Sequence, residues 1–108
     1  MGNRILYYAT ADNRIPVEEW LENLRDVKAQ ANVLRRIERI KNGNFGSAKP
    51  CREGVFELTI DFGPGFRVYY SKIESTVVLL LCAGDKSTQD ADIKRAVAYL
   101  NDFRERAK

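Results

Sequence analysis

Residues 55–82 read VFELTIDFGPGFRVYYSKIESTVVLLLC, and the fold depends on how this stretch divides. Gly63-Pro64-Gly65 supplies a turn, because proline presets its backbone and glycine accepts conformations that other residues avoid. On either side lie Val55–Asp61 and Phe66–Ser71, rich in β-branched and aromatic residues, and a third such run follows at Val77–Cys82. The third run is almost wholly apolar, as expected of a strand that is central or covered on both faces. With 63–65 as the loop, Asp61 pairs with Arg67, Ile60 with Val68, Thr59 with Tyr69 and Leu58 with Tyr70. A strand has period two, so this register sorts the hairpin into two faces. Phe56, Leu58, Ile60, Val68 and Tyr70 share the apolar face that buries against helices. Val55, Glu57, Thr59, Asp61, Arg67 and Tyr69 share the other. That second face has two readings. One is a solvated sheet face on which Arg67 and Asp61 form a weak cross-strand ion pair. The other is a ligand-facing surface, with Arg67 on a rigid mount suited to phosphate.

Outward from this hairpin the pattern changes to helical. RILYYAT, residues 4–10, reads as a short first strand. Asp12 or Asn13 is a candidate N-cap, and Pro16 falls in the first turn of the helix that follows. Val17, Trp20, Leu21 and Leu24 recur at helical spacing. A second helix is predicted from about Lys28 to Lys41, with Val33, Ile37 and Ile40 on one face, Leu34 beside them, and Asn42-Gly43 as the stop. The two helices are expected to form an antiparallel hairpin joined near Asp26. NFGSAKPCREG, residues 44–54, reads as a loop. After the third sheet run, Ser87 or Thr88 is a candidate cap, and Ser87 with Asp90 resembles a capping box. Ile93, Ala96, Val97, Leu100 and Phe103 mark a final amphipathic helix. The order β-α-α-β-β-β-α predicts a single α+β domain over residues 1–108, with a small, largely antiparallel sheet.

Composition narrows the chemistry. The 108 residues carry no histidine, which excludes His-ligated zinc and Ser-His-Asp or Cys-His catalytic units. Cys51 and Cys82 are expected to be reduced thiols, Cys82 in the core. The longest apolar run, Val77–Ala83, is far shorter than a membrane span, and the first residues lack a secretory pattern, so a cytoplasmic location is expected. The net charge is only +3, with basic and acidic residues nearly balanced in every region. No long basic tract binds nucleic acid by charge alone, so an anion site must be a local arrangement of a few residues.

GVFELTIDFGPGFRVYY followed by VVLLLCAGDKSTQDADIKRA strongly resembles the RelE/ParE superfamily of toxins, in particular its HigB-like branch of addiction-module killer proteins. The resemblance extends through VEEWLENLRD and RIERIKNGNFGSAK, and so covers almost the whole chain. It implies a RelE-like fold and a toxin neutralised by a helix-turn-helix antitoxin encoded nearby, the complex binding operator DNA through the antitoxin. The implied activity is ribosome-dependent cleavage of mRNA, with neither metal nor other cofactor. Such a step needs a base for the 2′-hydroxyl, cations for the phosphorane charge and an acid for the leaving oxygen. By position, Arg67 matches the phosphate-binding arginine of the family, and Lys86 the basic residue after the last strand. Lys49 and Arg52 would add cations for RNA at the substrate edge, and Tyr69 would stack on a base or orient a proton. Glu57 and Thr59 stand where RelE-type nucleases carry basic residues; Glu57 is then either a general base or the counter-ion of Arg67. The catalytic tyrosine of the last RelE helix has no counterpart, and Asp92 falls near its place. Two alternatives stay open: a ParE-like inhibitor of DNA gyrase, and a non-catalytic toxin acting as a binding module.

Overall fold

The computed structural model describes residues 2–108. The expected α+β class is present, with one strand and one short 3-10 helix more than the sequence pattern predicts. Strand β1 is Arg4–Tyr7, and helices α1 (Pro16–Asn23) and α2 (Val27–Lys41) follow. Strands β2 (Ala48–Arg52), β3 (Val55–Ile60), β4 (Phe66–Glu74) and β5 (Val77–Asp85) come next. A 3-10 turn at Lys86–Thr88 leads into helix α3 (Gln89–Arg106). The sheet order is β1-β5-β4-β3-β2. Among the described residues only the β1–β5 pairing is parallel.

The additional strand, β2, lies where a loop was expected. Its pairing with β3 supplies backbone partners to a segment whose Pro50 and flanking glycines signal a turn. Proline is tolerated there because β2 is an edge strand and the register shifts between Pro50 and Arg52. The hairpin register also differs. Ile60 pairs with Phe66, Thr59 with Arg67, Leu58 with Val68, Glu57 with Tyr69 and Phe56 with Tyr70. This is a slip of two residues from the expected pairing, and an even slip leaves every side chain on its face. The loop is therefore longer, residues 61–65, and Phe62 packs against the core. Gly63 and Gly65 both have positive φ, 57° and 79°, so the turn uses the freedom only glycine has.

One core cluster lies between the sheet and the first two helices: Leu58, Ile60, Val68, Tyr70, Val78 and Leu80 meet Val17, Val33, Ile37 and Ile40. A second lies on the opposite face, where Val55, Tyr69, Leu79 and Leu81 meet Ala96 and Leu100 of α3. Strand β5 is consequently covered on both sides, as its apolar run predicts. The second hairpin face is not the open polar surface expected from the sequence, because α3 covers much of it.

Asn42 ends α2 and Thr88 stands at the N-cap of α3, both as expected, though Thr88 makes no side-chain capping bond; the other helix starts differ. Ile15 precedes α1 with Pro16 at its first turn, while Asp12 accepts the Thr10 hydroxyl in the preceding loop. Asp26 caps α2, accepting the Lys28 and Ala29 amides. The Ser87–Asp90 box does not form. Asp85 instead accepts both the amide (2.8 Å) and hydroxyl (2.5 Å) of Ser87. Those bonds hold the Asp85 carboxyl below its usual range. Cys51 and Cys82 are free thiols, Cys82 buried. Among the described residues no helix is long and apolar enough to cross a membrane.

Candidate functional site

Where β3 and β4 run beneath the start of α3, alternation brings Glu57, Thr59, Arg67 and Tyr69 onto one face. Arg67 lies opposite Thr59 on one side and Gly84 of β5 on the other. Gly84 is required there. A Cβ on it would stand 1.9 Å from the Asp92 carboxylate and 2.8 Å from the Thr88 hydroxyl, so its absence lets the first turn of α3 approach the sheet. Asp92 is buried, taking hydrogen bonds from Thr88 (2.6 Å) and Arg95 (2.9 Å), which makes it part of this packing.

The Glu57 side chain is only 1% exposed. A buried carboxylate must be compensated, and four groups converge on it. Gln89 Nε2 donates to one oxygen at 2.8 Å and the Thr59 hydroxyl to the other at 3.4 Å. Arg67 Nε and Lys49 Nζ lie 3.6 and 3.9 Å from that second oxygen. Arg67 thus pairs with Glu57 rather than with Asp61, which the longer loop carries away into solvent. The Arg67 guanidinium makes one hydrogen bond, from Nη1 to the Gly65 carbonyl at 2.8 Å, and its buried Nε has no hydrogen-bond acceptor. Most of its donor capacity remains unused.

Arg67 and Lys86 border the same hollow of about 320 Å³, together with Thr59, Asp61 and the Gly63–Gly65 turn. A Cβ on Gly65 would lie 3.2 Å from Arg67 Nη1 and 3.9 Å from Lys86 Cβ, so the glycine keeps the space between these cations open. On the other side of Glu57 is a larger cleft of about 530 Å³. Lys49, Arg52 and Lys94 supply its cations, with Gln89 and Glu57 as polar neighbours and Ile93 as an apolar one. Glu57 joins the two spaces, since it lines the cleft and is bonded or ion-paired to Thr59 and Arg67 in the hollow.

Five of the six residues singled out from the sequence therefore meet along one surface: Lys49, Arg52, Glu57, Arg67 and Lys86. Tyr69 does not. It is 0% exposed in the cluster beneath α3, so its ring offers no face for a base, correcting the stacking role expected of it. Its hydroxyl is buried without a partner, and burial, followed by the Glu57 charge, makes its proton harder to remove than that of a free tyrosine. Gln89 and Lys94 were missed by the sequence reading, and the only cue was their position in the first turns of the helix after GDKST. Among the described residues no three His, Cys, Asp or Glu side chains converge to cage a metal ion.

No known protein-family profile matches the chain. It is 49% identical over 79 residues to an uncharacterized protein of Haemophilus influenzae, an alignment covering 73% of the chain and 80% of that relative. The chain belongs to the same family as this Haemophilus protein.

Proposed function

We propose that the chain is the toxin of a type II toxin–antitoxin pair, with a RelE-like fold of the HigB-like branch, and that it cleaves mRNA on the ribosome without a metal. The sequence signatures GPGFRVYY and GDKSTQ support this reading. The observation that carries it is the shared hollow of Arg67 and Lys86, in which the arginine has donors to offer an anion. The 2′-hydroxyl attacks the adjacent phosphorus as its proton passes to solvent water, and the bond to the 5′-oxygen breaks, leaving a 2′,3′-cyclic phosphate and, once the leaving oxygen is protonated, a 5′-hydroxyl. Arg67 and Lys86 stabilise charge on the non-bridging oxygens. Glu57 orients Arg67 as its counter-ion. Lys49, Arg52 and Lys94 hold the flanking phosphates along the cleft. Lys86 and Lys49 are the exposed groups available to protonate the leaving oxygen. The partners in this reading are the ribosome, mRNA and a helix-turn-helix antitoxin encoded nearby, all in the cytoplasm.

The test is induction without the neighbouring gene, with growth and transcript ends mapped. Growth arrest with new ends inside translated codons is expected, reduced about 100-fold or more in Arg67→Ala and strongly in Lys86→Ala. Undiminished cleavage by Arg67→Ala would refute the assignment. The burial of Tyr69 and the neutralisation of Arg67 by Glu57 favour a second reading, in which the surface binds without catalysing. Intact transcripts with a DNA-damage response would select the ParE-like form of it; intact transcripts with normal growth would select a binding module.

A further inference from the structure

Two arginine–carboxylate pairs, at Arg14 and at Arg67, contrast in a way that burial alone does not explain. On the surface, Arg14 grips Glu19 with two hydrogen bonds, from Nε at 3.0 Å and from Nη2 at 2.9 Å. This is the fork geometry that guanidinium and carboxylate ordinarily adopt. The Arg67 and Glu57 side chains are 14% and 1% exposed, so their attraction is less screened and the pair should close more tightly. Instead Arg67 Nε stands 3.6 Å from the carboxylate and makes no hydrogen bond to it. A buried donor without an acceptor is costly, so some other contact must hold the carboxylate away.

Gln89 makes that contact. Its Nε2 donates to Glu57 Oε1 at 2.8 Å, the shortest polar contact of this carboxylate among the described residues. A carboxylate only accepts, so the amide nitrogen is the end that faces it. Gln89 is the first residue of α3, and its surroundings fix its position. Asp85 accepts from the amide and hydroxyl of Ser87, which shapes the turn before it. The Thr88 hydroxyl donates to the buried Asp92 carboxylate, and the Cys82 thiol donates to the Asp92 carbonyl at 3.4 Å. These bonds fasten the helix start to β5, where Gly84 leaves room for it. The other oxygen of Glu57 is shared among the Thr59 hydroxyl at 3.4 Å, Arg67 at 3.6 Å and Lys49 at 3.9 Å.

We infer that Gln89 is a positioning residue for the anion site: it holds the Glu57 carboxylate back from Arg67, so that the guanidinium stays in place yet keeps its donors for a phosphate group. At 3.6 Å, Glu57 attracts Arg67 without occupying Nε. Without Gln89, the carboxylate turns to the strongest donors beside it, those of Arg67, and closes the fork seen between Arg14 and Glu19. A phosphate group must then displace a bidentate partner. The inference rests on the anion-binding role proposed for Arg67 and Lys86, and adds to it the residue that keeps the arginine available.

The test uses the full chain as wild type, Gln89→Met, Glu57→Gln and the double variant, with a fluorescent single-stranded RNA and inorganic phosphate as probes. The Arg67 Nε–H resonance is followed by NMR. In Gln89→Met without either probe, this signal is expected to move downfield and to exchange about tenfold more slowly, as Nε gains the carboxylate. RNA binding is expected to weaken about tenfold, with a salt slope shallower by about 0.7, one phosphate contact. Glu57→Gln removes the charge that Gln89 restrains, so the double variant should bind RNA as tightly as Glu57→Gln alone. A merely structural loss would weaken binding alike in both backgrounds. In the wild type, phosphate should shift the Arg67 signal and leave the Gln89 side-chain amide unmoved, which decides the question should Gln89→Met not fold. Wild-type RNA affinity in Gln89→Met, equal weakening in both backgrounds, an unmoved Arg67 signal, or a Gln89 amide that shifts with phosphate would each overturn the inference. A wild type that binds neither probe refutes the anion site itself, and the Arg67 signal of unliganded Gln89→Met still tells whether Gln89 restrains Glu57.

Discussion

Replacing Glu57 with glutamine tests the site most directly, because stability and RNA affinity should move in opposite directions. Glutamine preserves the volume and still accepts from Gln89, but it removes the charge 3.6 Å from Arg67 Nε. At that distance and an effective dielectric of about 20, the gross attraction is roughly 4–5 kcal/mol. Much of this offsets the desolvation of a carboxylate that is 1% exposed, and the neutral amide escapes that cost. Arg67 is 14% exposed and keeps its bond to Gly65, so it is not left wholly unsolvated. The expected net loss is about 2–3 kcal/mol, a large share of the roughly 5–15 kcal/mol that stabilises a domain of this size. With typical urea dependences this lowers the midpoint by about 1–2 M. Arg67, freed from its counter-ion, should bind a fluorescent single-stranded RNA about tenfold more tightly, with a salt slope steeper by about 0.7. An unmoved urea midpoint together with unchanged or weaker RNA binding would refute the counter-ion role. Cleavage separates the two roles of Glu57. A counter-ion alone changes the rate by no more than about tenfold, whereas a general base costs roughly 100- to 10,000-fold.

Gly84→Ala should destabilise the fold by about 3 kcal/mol in urea denaturation, since its Cβ would stand 1.9 Å from the Asp92 carboxylate. In an Asp92→Ala background the same change should cost less than about 1 kcal/mol; equal costs would place the strain elsewhere. Asp26→Ala should cost about 1 kcal/mol by thermal denaturation, because the carboxylate caps two amides of α2. Alkali should unfold the protein. Burial raises the Cys82 thiol from 9.0, and the Tyr8 and Tyr70 phenols from 10.0, all to about 12. A raised folded pKa means that the unfolded chain releases these protons first. Their contribution is thus complete below about pH 9 and is lost as pH rises toward 12. Tyrosinate absorbance should follow the loss of circular dichroism; ionisation of all five tyrosines near pH 10 in a still folded protein would contradict it.

How much of this was legible without coordinates differs from element to element. The α2 helix was readable because Val33, Ile37 and Ile40 repeat at helical spacing and Gly43, with φ 92°, ends it. The division of the hairpin into faces was readable too, and survived a register error because that error was even. β2 was not readable, since AKPCR has little strand character of its own and exists as a strand through its pairing with β3. Arg67 and Lys86 could be singled out as cations, but their common hollow depends on the positive φ of Gly65, set by the longer turn.

Local periodicity and turn chemistry in the sequence alone therefore determined the α+β class, the three helices, the hairpin faces and the absence of histidine chemistry. Tertiary structure decided what covers each face. Val55, Glu57 and Tyr69 have the alternation of a half-exposed strand, yet α3 crosses above them because Gly84 leaves room for its first turn. That contact joins residues far apart in the chain. It turns Tyr69 from an RNA-facing ring into core and Glu57 into the buried counter-ion of Arg67. Pattern within a strand reports which side chains share a face, whereas only the packing of distant elements settles whether that face meets water, RNA or a helix.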